Sequence, residues 1–187
     1  MFSSKKKFIV LVDSQSLSVF VGGRVSPKHL LFSPLVVSHL EVLQEQSIRE
    51  QSKEFFHQFE KIKRVVTILL TPKVVFSKVL PKNASPDEQR SFFDMVPLHP
   101  DYVVRKTIIF QQNMYLMATN AKLYLYLVEL FTELKWEIEA VYPLRIIPKL
   151  DVELASNEEI FRIYKVDRAI RTTANLLVSA NPLQKEK

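Results

Sequence analysis

The sequence has no cysteine and only two glycines, Gly22 and Gly23, which stand side by side. Without cysteine there is no disulfide, no thiolate zinc site and no cysteine nucleophile. Two adjacent glycines cannot build a G-x-G-x-x-G turn or a P-loop, which need spaced glycines where backbone amides close on phosphate. The composition therefore argues against a nucleotide-dependent enzyme. Long apolar runs are missing as well. The longest, 123–128, falls far short of the roughly 18 residues that a bilayer demands. Residues 8–12 are too short for the core of a secretory signal and no small-residue cleavage site follows, so the expected location is the cytoplasm.

What is present is an ordinary globular balance. The 187 residues are 47% hydrophobic and 25% charged, which excludes wholesale disorder and suits one domain with a small insertion or tail. The net charge is +6, and five bases (Lys5, Lys6, Lys7, Arg24, Lys28) face the single acid Asp13 in residues 1–37. A basic start suits a membrane surface or nucleic acid, but no aromatics interleave with the lysines. We read it as a solvated lead into the first strand.

Along the chain, 7–13 (KFIVLVD) is continuously apolar between charged ends, as in a strand buried on both faces. Residues 16–21 and 28–33 extend around the glycine pair as a hairpin. A long helix is expected over 38–63, with Leu40, Leu43, Ile48, Phe55, Phe59 and Ile62 on one face and Glu45, Arg49, Lys53 and Glu60 on the other. Ser38 and Glu41 supply a capping box at its start. Strands follow at 64–71 and 74–80, each stopped by a proline (Pro72, Pro81). Ser85-Pro86-Asp87-Glu88 opens a short helix ending near Met95. Residues 102–111 and 114–119 pair across Gln112-Asn113, and Asn120 caps a helix over 121–135 with Leu123, Leu127, Phe131 and Leu134 inward. Tyr124 and Tyr126 flank that stripe and read as packing residues. The alternating 136–142 is a last strand, and Ser156 with Glu159 caps one more helix containing Ile160, Phe161, Tyr164 and Ile170.

The order β-β-β-α-β, then β-α-β-β, then α-β is α/β. It is the mixed sheet of a ribonuclease H-like or actin-like domain carrying an inserted strand-helix-strand-strand unit. The strings FIVLVD, RVVTILLT, VVFSKVLP, MVPLHPDYVVRKTIIF and MYLMATNAKLYLYLVELFTELKWEIEAVYPL carry a more specific likeness. Over about 7–145 the chain resembles the first half of the actin-like PilM, GspL and FtsA group, nearest to the PilM branch of type IV pilus assembly. The resemblance implies a core at 1–72 and 121–150, an inserted subdomain at 73–120, and a C-terminal helix with flexible tail at 151–187.

It further implies a phosphate loop after the first strand, here Asp13, Ser14, Gln15 and Ser16. That loop is degenerate, since Gln15 stands near where the family carries glycine and Val19 and Phe20 occupy the region of its usual basic residue. The 42 residues after Arg145 leave no room for the second actin-like half, so no nucleotide or other cofactor is expected. What remains of the family's properties is binding. Its members dock a cytoplasmic peptide of an inner-membrane pilus or secretion protein between core and insertion, a groove that would be lined here by Val74, Val75, Phe76, Val104, Ile108 and Tyr115. Asn175-Leu176-Leu177 resembles the Asn-Leu-Leu-Pro string of that peptide, so the tail is a candidate occupant in its own or another copy. The expected role is a non-catalytic scaffold, peripheral to the inner membrane, with possible self-association and no nucleic acid.

The alternative is a ribonuclease H-like nucleic-acid-processing domain, in which strand-end carboxylates hold two metal ions. Asp13 stands where its first ligand would be, with Glu50 or Glu54 from the helix, but Thr71-Pro72 stands where another acid is wanted. His29, His39, His57 and His99 show no ligand spacing, and no serine sits in G-x-S-x-G.

Overall fold

The computed structural model describes residues 6–21, 27–59, 64–144 and 175–178. The Gly22-Gly23 turn, Glu60, Ile62 and the helix expected from Ser156 lie outside the described residues. The apolar run at the start becomes β1 (Lys6–Val12), with Phe8, Ile9 and Val10 fully buried. It pairs antiparallel with β2 (Ser16–Val21), which pairs antiparallel with β3 (Lys28–Leu31).

The first five residues of the expected helix, 38–42, form something else. Val37–Ser38 (β4) and Glu41–Val42 (β5) pair as a small hairpin, with His39 and Leu40 between them at φ 48° and 64°. Two successive positive φ values make the tight turn whose twist suits a hairpin. Ser38 is thereby a strand residue, and its expected capping box with Glu41 does not form. Helix α1 (Glu45–His57) starts later, at Gln44, without a side-chain cap. Ile48, Ser52 and Phe56 face inward at steps of four, while Leu43 lies before the helix and is exposed.

Strand β6 (Arg64–Leu70) returns parallel to β1, setting Phe8 beside Val66 and Val10 beside Ile68. Pro72 stops that strand as expected and opens a 3-10 turn (Pro72–Val74), since proline at the first position brings a fixed φ and no donor; the turn takes in Val74, where the next strand was expected to begin. Strand β7 (Phe76–Pro81) begins only after it. The helix α2 (Pro86–Asp94) carries the full capping box: the Glu88 amide donates to Ser85 Oγ at 3.2 Å, and the Ser85 amide to Glu88 Oε2 at 2.8 Å. The Ser85 amide and hydroxyl, both donating to Glu88 Oε2, hold the Glu88 carboxyl below the usual carboxylate range. Strands β8 (Val103–Phe110) and β9 (Asn113–Asn120) pair across Gln111-Gln112, one residue earlier than expected, with Gln111 at φ 56°.

Helix α3 (Lys122–Glu133) follows, and β10 (Glu137–Pro143) closes the large sheet parallel to β6. The five-stranded order is β10-β6-β1-β2-β3, and the second sheet runs β7-β9-β8, antiparallel throughout. Successive residues of β9 serve different cores, as the two-residue period requires. Met114 and Leu116 join Leu80 and Phe92 in a small cluster, whereas Tyr115 and Met117 pack with the large one.

The end of α3 shows how this glycine-poor chain turns. Lys135 takes φ 56°, its amide donates to the Thr132 carbonyl at 3.0 Å, and the Trp136 amide donates to the Phe131 carbonyl at 2.8 Å. This is a Schellman motif, and its apolar contact is the stacked Phe131–Trp136 pair, 5.2 Å between ring centres. Lysine there bears the steric cost that glycine avoids. Lys135→Gly is expected to raise stability by about 0.5–1 kcal/mol in urea titration, because Lys135 is exposed and loses no packing. Phe56→Ala, by contrast, removes a fully buried ring and is expected to cost about 3–5 kcal/mol in the same titration.

Candidate functional site

The expected phosphate loop is a tight connection between β1 and β2. The Asp13 amide donates to the Ser16 carbonyl at 2.9 Å, leaving Ser14 and Gln15 at the tip. The Asp13 carboxylate turns inward and is held there. Its Oδ1 accepts from the Ser14 amide at 2.8 Å and from Thr71 Oγ1 at 3.0 Å, and Lys73 Nζ lies 3.5 Å from Oδ2. Gln15 Nε2 donates to the Val37 carbonyl at 3.3 Å, and the Gln15 carbonyl accepts from the Phe32 amide at 2.8 Å. An anion-binding loop presents open backbone amides to its ligand. Here the Ser14 amide is taken by a carboxylate, and the Gln15 side chain is spent on joining the loop to β4.

The acids of the nuclease alternative do not converge. Among the described residues no group of three or more His, Cys, Asp or Glu stands where a metal ion would fit. Glu50 lines an open cleft with Gln46, Lys53, Leu130 and Glu133, between α1 and α3. A second cleft of about 220 Å³, further along the same two helices, includes Glu45, Arg49, Tyr102, Lys122 and Glu129. Lys122 pairs with Glu45 and sits 3.8 Å from the Tyr102 ring centre, and Arg49 pairs with Glu129. The bond to Glu45 raises the Lys122 pKa. Tyr126 lines this cleft too; it and Tyr124 are buried, and burial pushes both phenols far above their ordinary value. Both remain neutral packing groups, as their spacing suggested.

The six groove residues sit on the second sheet and the turn leading into it. Val74, Val75 and Ile108 are buried in the large core. Val104 and Tyr115 are half-buried against that core, and Phe76 is half-buried against the small one. None of the six is an exposed anchor. The short segment 175–178 lies against β10, with partners of which sequence spacing gave no sign. Asn175 Oδ1 accepts from the Val141 amide of β10 at 3.1 Å and from the Leu177 amide at 3.1 Å. Lys106 Nζ of β8 reaches the Asn175 carbonyl at 3.5 Å. Leu176 is 1% exposed within the large core, and Leu177 packs half-buried on it.

No protein-family model matches the chain, and no curated protein matches it by sequence. Its fold does match solved structures. The cytoplasmic domain of EpsL, an inner-membrane component of the type II secretion system of Vibrio cholerae, aligns with 79% of this chain at TM-score 0.50 and 8% identity, covering 61% of that domain. The PilM–PilN type IV pilus biogenesis complex aligns with 75% of it at TM-score 0.51 and 12% identity, covering 48% of the matched chain. The chain shares the actin-like fold expected from its sequence. A Bacteroides thetaiotaomicron protein of unknown function, described as having an actin-like ATPase fold, covers 76% at TM-score 0.43 and 12% identity, with 53% of that protein covered. The chain spans about half to three fifths of the EpsL and PilM–PilN chains it matches.

In this actin-like core Asp13 is a turn-holding residue. Asp13→Asn weakens the bonds from Thr71 and Ser14 and is expected to lower stability by about 1 kcal/mol, measured by urea denaturation. It leaves the far-ultraviolet circular dichroism spectrum unchanged.

Proposed function

We propose that the chain is a non-catalytic actin-like adaptor of a type IV pilus or type II secretion assembly. It works at the cytoplasmic face of the inner membrane and binds a cytoplasmic peptide of an inner-membrane partner. The observation that carries this reading is the fold match over three quarters or more of the chain to EpsL and to a chain of the PilM–PilN complex. On this reading 1–72 and 121–150 form the core, 73–120 is the insertion and 151–187 is the tail. The groove between core and insertion, walled by Val74, Val75, Phe76, Val104, Ile108 and Tyr115, receives the peptide. Among the described residues no helix is long and apolar enough to cross a membrane, which fits recruitment through a partner. The internally bonded turn at Asp13 supports an adaptor that works without a nucleotide cycle.

Two measurements test the reading. A ligand present at a hundred times its Kd adds about 2.7 kcal/mol to stability, enough for a clear thermal shift. With millimolar ATP and Mg²⁺ the melting temperature is expected to stay unchanged. In the source cell, deleting the gene is expected to abolish pili or secretion, and Asp13→Asn is expected to restore them fully. An ATP-dependent shift, or a folded Asp13→Asn protein that fails to complement, overturns the non-catalytic reading. Intact pili and secretion after deletion overturn the adaptor role.

A further inference from the structure

On the side of the five-stranded sheet away from β10, β3 has a strand partner on one side only among the described residues. Its pairing with β2 is antiparallel, and just beyond it the Phe32 amide donates to the Gln15 carbonyl at 2.8 Å. Backbone groups alternate in such a ladder, so Lys28, Leu30 and Phe32 bond inward to β2. The N–H and C=O groups of His29 and Leu31 therefore point outward along the edge. Pro27 and Pro34, which carry no N–H, stand on either side of this short row.

The side chains at this margin are not those that water favours. Leu31 is 76% exposed, Leu35 73% and Leu43 54%. The Leu43 amide donates to the Val36 carbonyl at 2.8 Å, which sets Leu43 beside the turn that carries Leu35. Leucines exposed singly need no explanation, but three gathered at one sheet margin mark a contact face.

The length and charge of the edge select its occupant. Two residues' worth of outward groups are too few to hold a free peptide against the freedom it loses on binding. A second copy brings the same groups and its own three leucines. Paired antiparallel about Leu30, the two strands set His29 of each copy against Leu31 of the other, and every outward group is bonded. Charge suits this direction. Lys28 of each copy faces Phe32 of the other, so the two lysines stand about 13 Å apart along the strands, beyond the Debye length of physiological salt. A parallel pairing in register would set lysine on lysine. The antiparallel contact uses each edge once and so closes as a twofold pair.

We propose that the chain dimerises through β3, joining two five-stranded sheets into one continuous sheet across a twofold axis at Leu30. The resemblance left self-association without a face; β3 gives it a face, a symmetry and a register. The proposal does not rest on the adaptor reading, whose tests do not involve this edge.

Because the chain has no cysteine, a single introduced one reports the register. Leu30→Cys brings the two sulfurs together at the axis, with Cα atoms about 4.5 Å apart, a separation that a disulfide spans. On oxidation it is expected to give a covalent dimer on a non-reducing gel, whereas Met95→Cys, exposed at the end of α2, is not. Sedimentation velocity of the unaltered full chain is expected to show a dimer with a Kd of roughly micromolar order. Leu31→Lys places a charge on the edge, and Leu31→Pro removes an outward N–H that the monomer does not use. Each is expected to raise the Kd about tenfold or more with an unchanged circular dichroism spectrum, while Met95→Lys leaves the Kd as it was. If the proline variant does not fold, Leu31→Lys at its exposed position decides. A wild-type chain that stays monomeric at every concentration overturns the proposal. So does a dimer that Leu31→Lys leaves intact or Met95→Lys dissociates, or a Leu30→Cys chain that crosslinks no more than Met95→Cys.

Discussion

The packing of five aromatic rings organises this molecule. Phe8 of β1 lies 5.3 Å from Phe59 and 5.5 Å from Trp136, and Phe56 of α1 lies 4.8 Å from Phe131 of α3. Those contacts draw both long helices onto one another at the sheet. Each helix precedes a strand that must then run parallel to β1, because a strand–helix–strand crossover reverses direction twice. The order β10-β6-β1 follows. The guanidinium of Arg64 lies 4.4 Å from the Phe8 ring centre, and burial lowers its pKa. Position in this fold is thus inherited from one apolar nucleus, and every polar feature is set against it.

Two sets of polar bonds tie down that sheet. At the loop between β1 and β2, polar groups turn inward: Asp13 to Thr71, Gln15 to Val37. At β10 the Val141 amide donates to Asn175 Oδ1, on a distant piece of the same chain. The contrast is chemical. The closed turn spends the Ser14 amide within itself, whereas Asn175 bonds a strand 34 positions away.

Much of this was legible in the residues. The runs IVLV and VVTILL are buried strands because no charge interrupts them, and Ser85 with Glu88 capped α2 as their spacing requires. The actin-like order followed from the sequence of elements. The hairpin at Val37–Val42 was hidden because its turn uses His39 and Leu40, neither of which advertises positive φ as glycine or asparagine does. Its one leucine, Leu40, therefore blended into the helical pattern of α1. The groove residues were correctly read as apolar, yet apolarity alone does not separate a wall from an exposed anchor. The partners of Asn175 were invisible for another reason: a bond between residues 34 positions apart has no local signature.

Strand β9 lends side chains to both hydrophobic clusters, Met114 and Leu116 to one, Tyr115 and Met117 to the other. It is a party wall. A unit attached through a linker can loosen without disturbing its host, but a unit that shares a wall cannot. The two sheets are bound to melt as one cooperative body, and mechanical stress on α2 is one strand's thickness from the core beneath the helices.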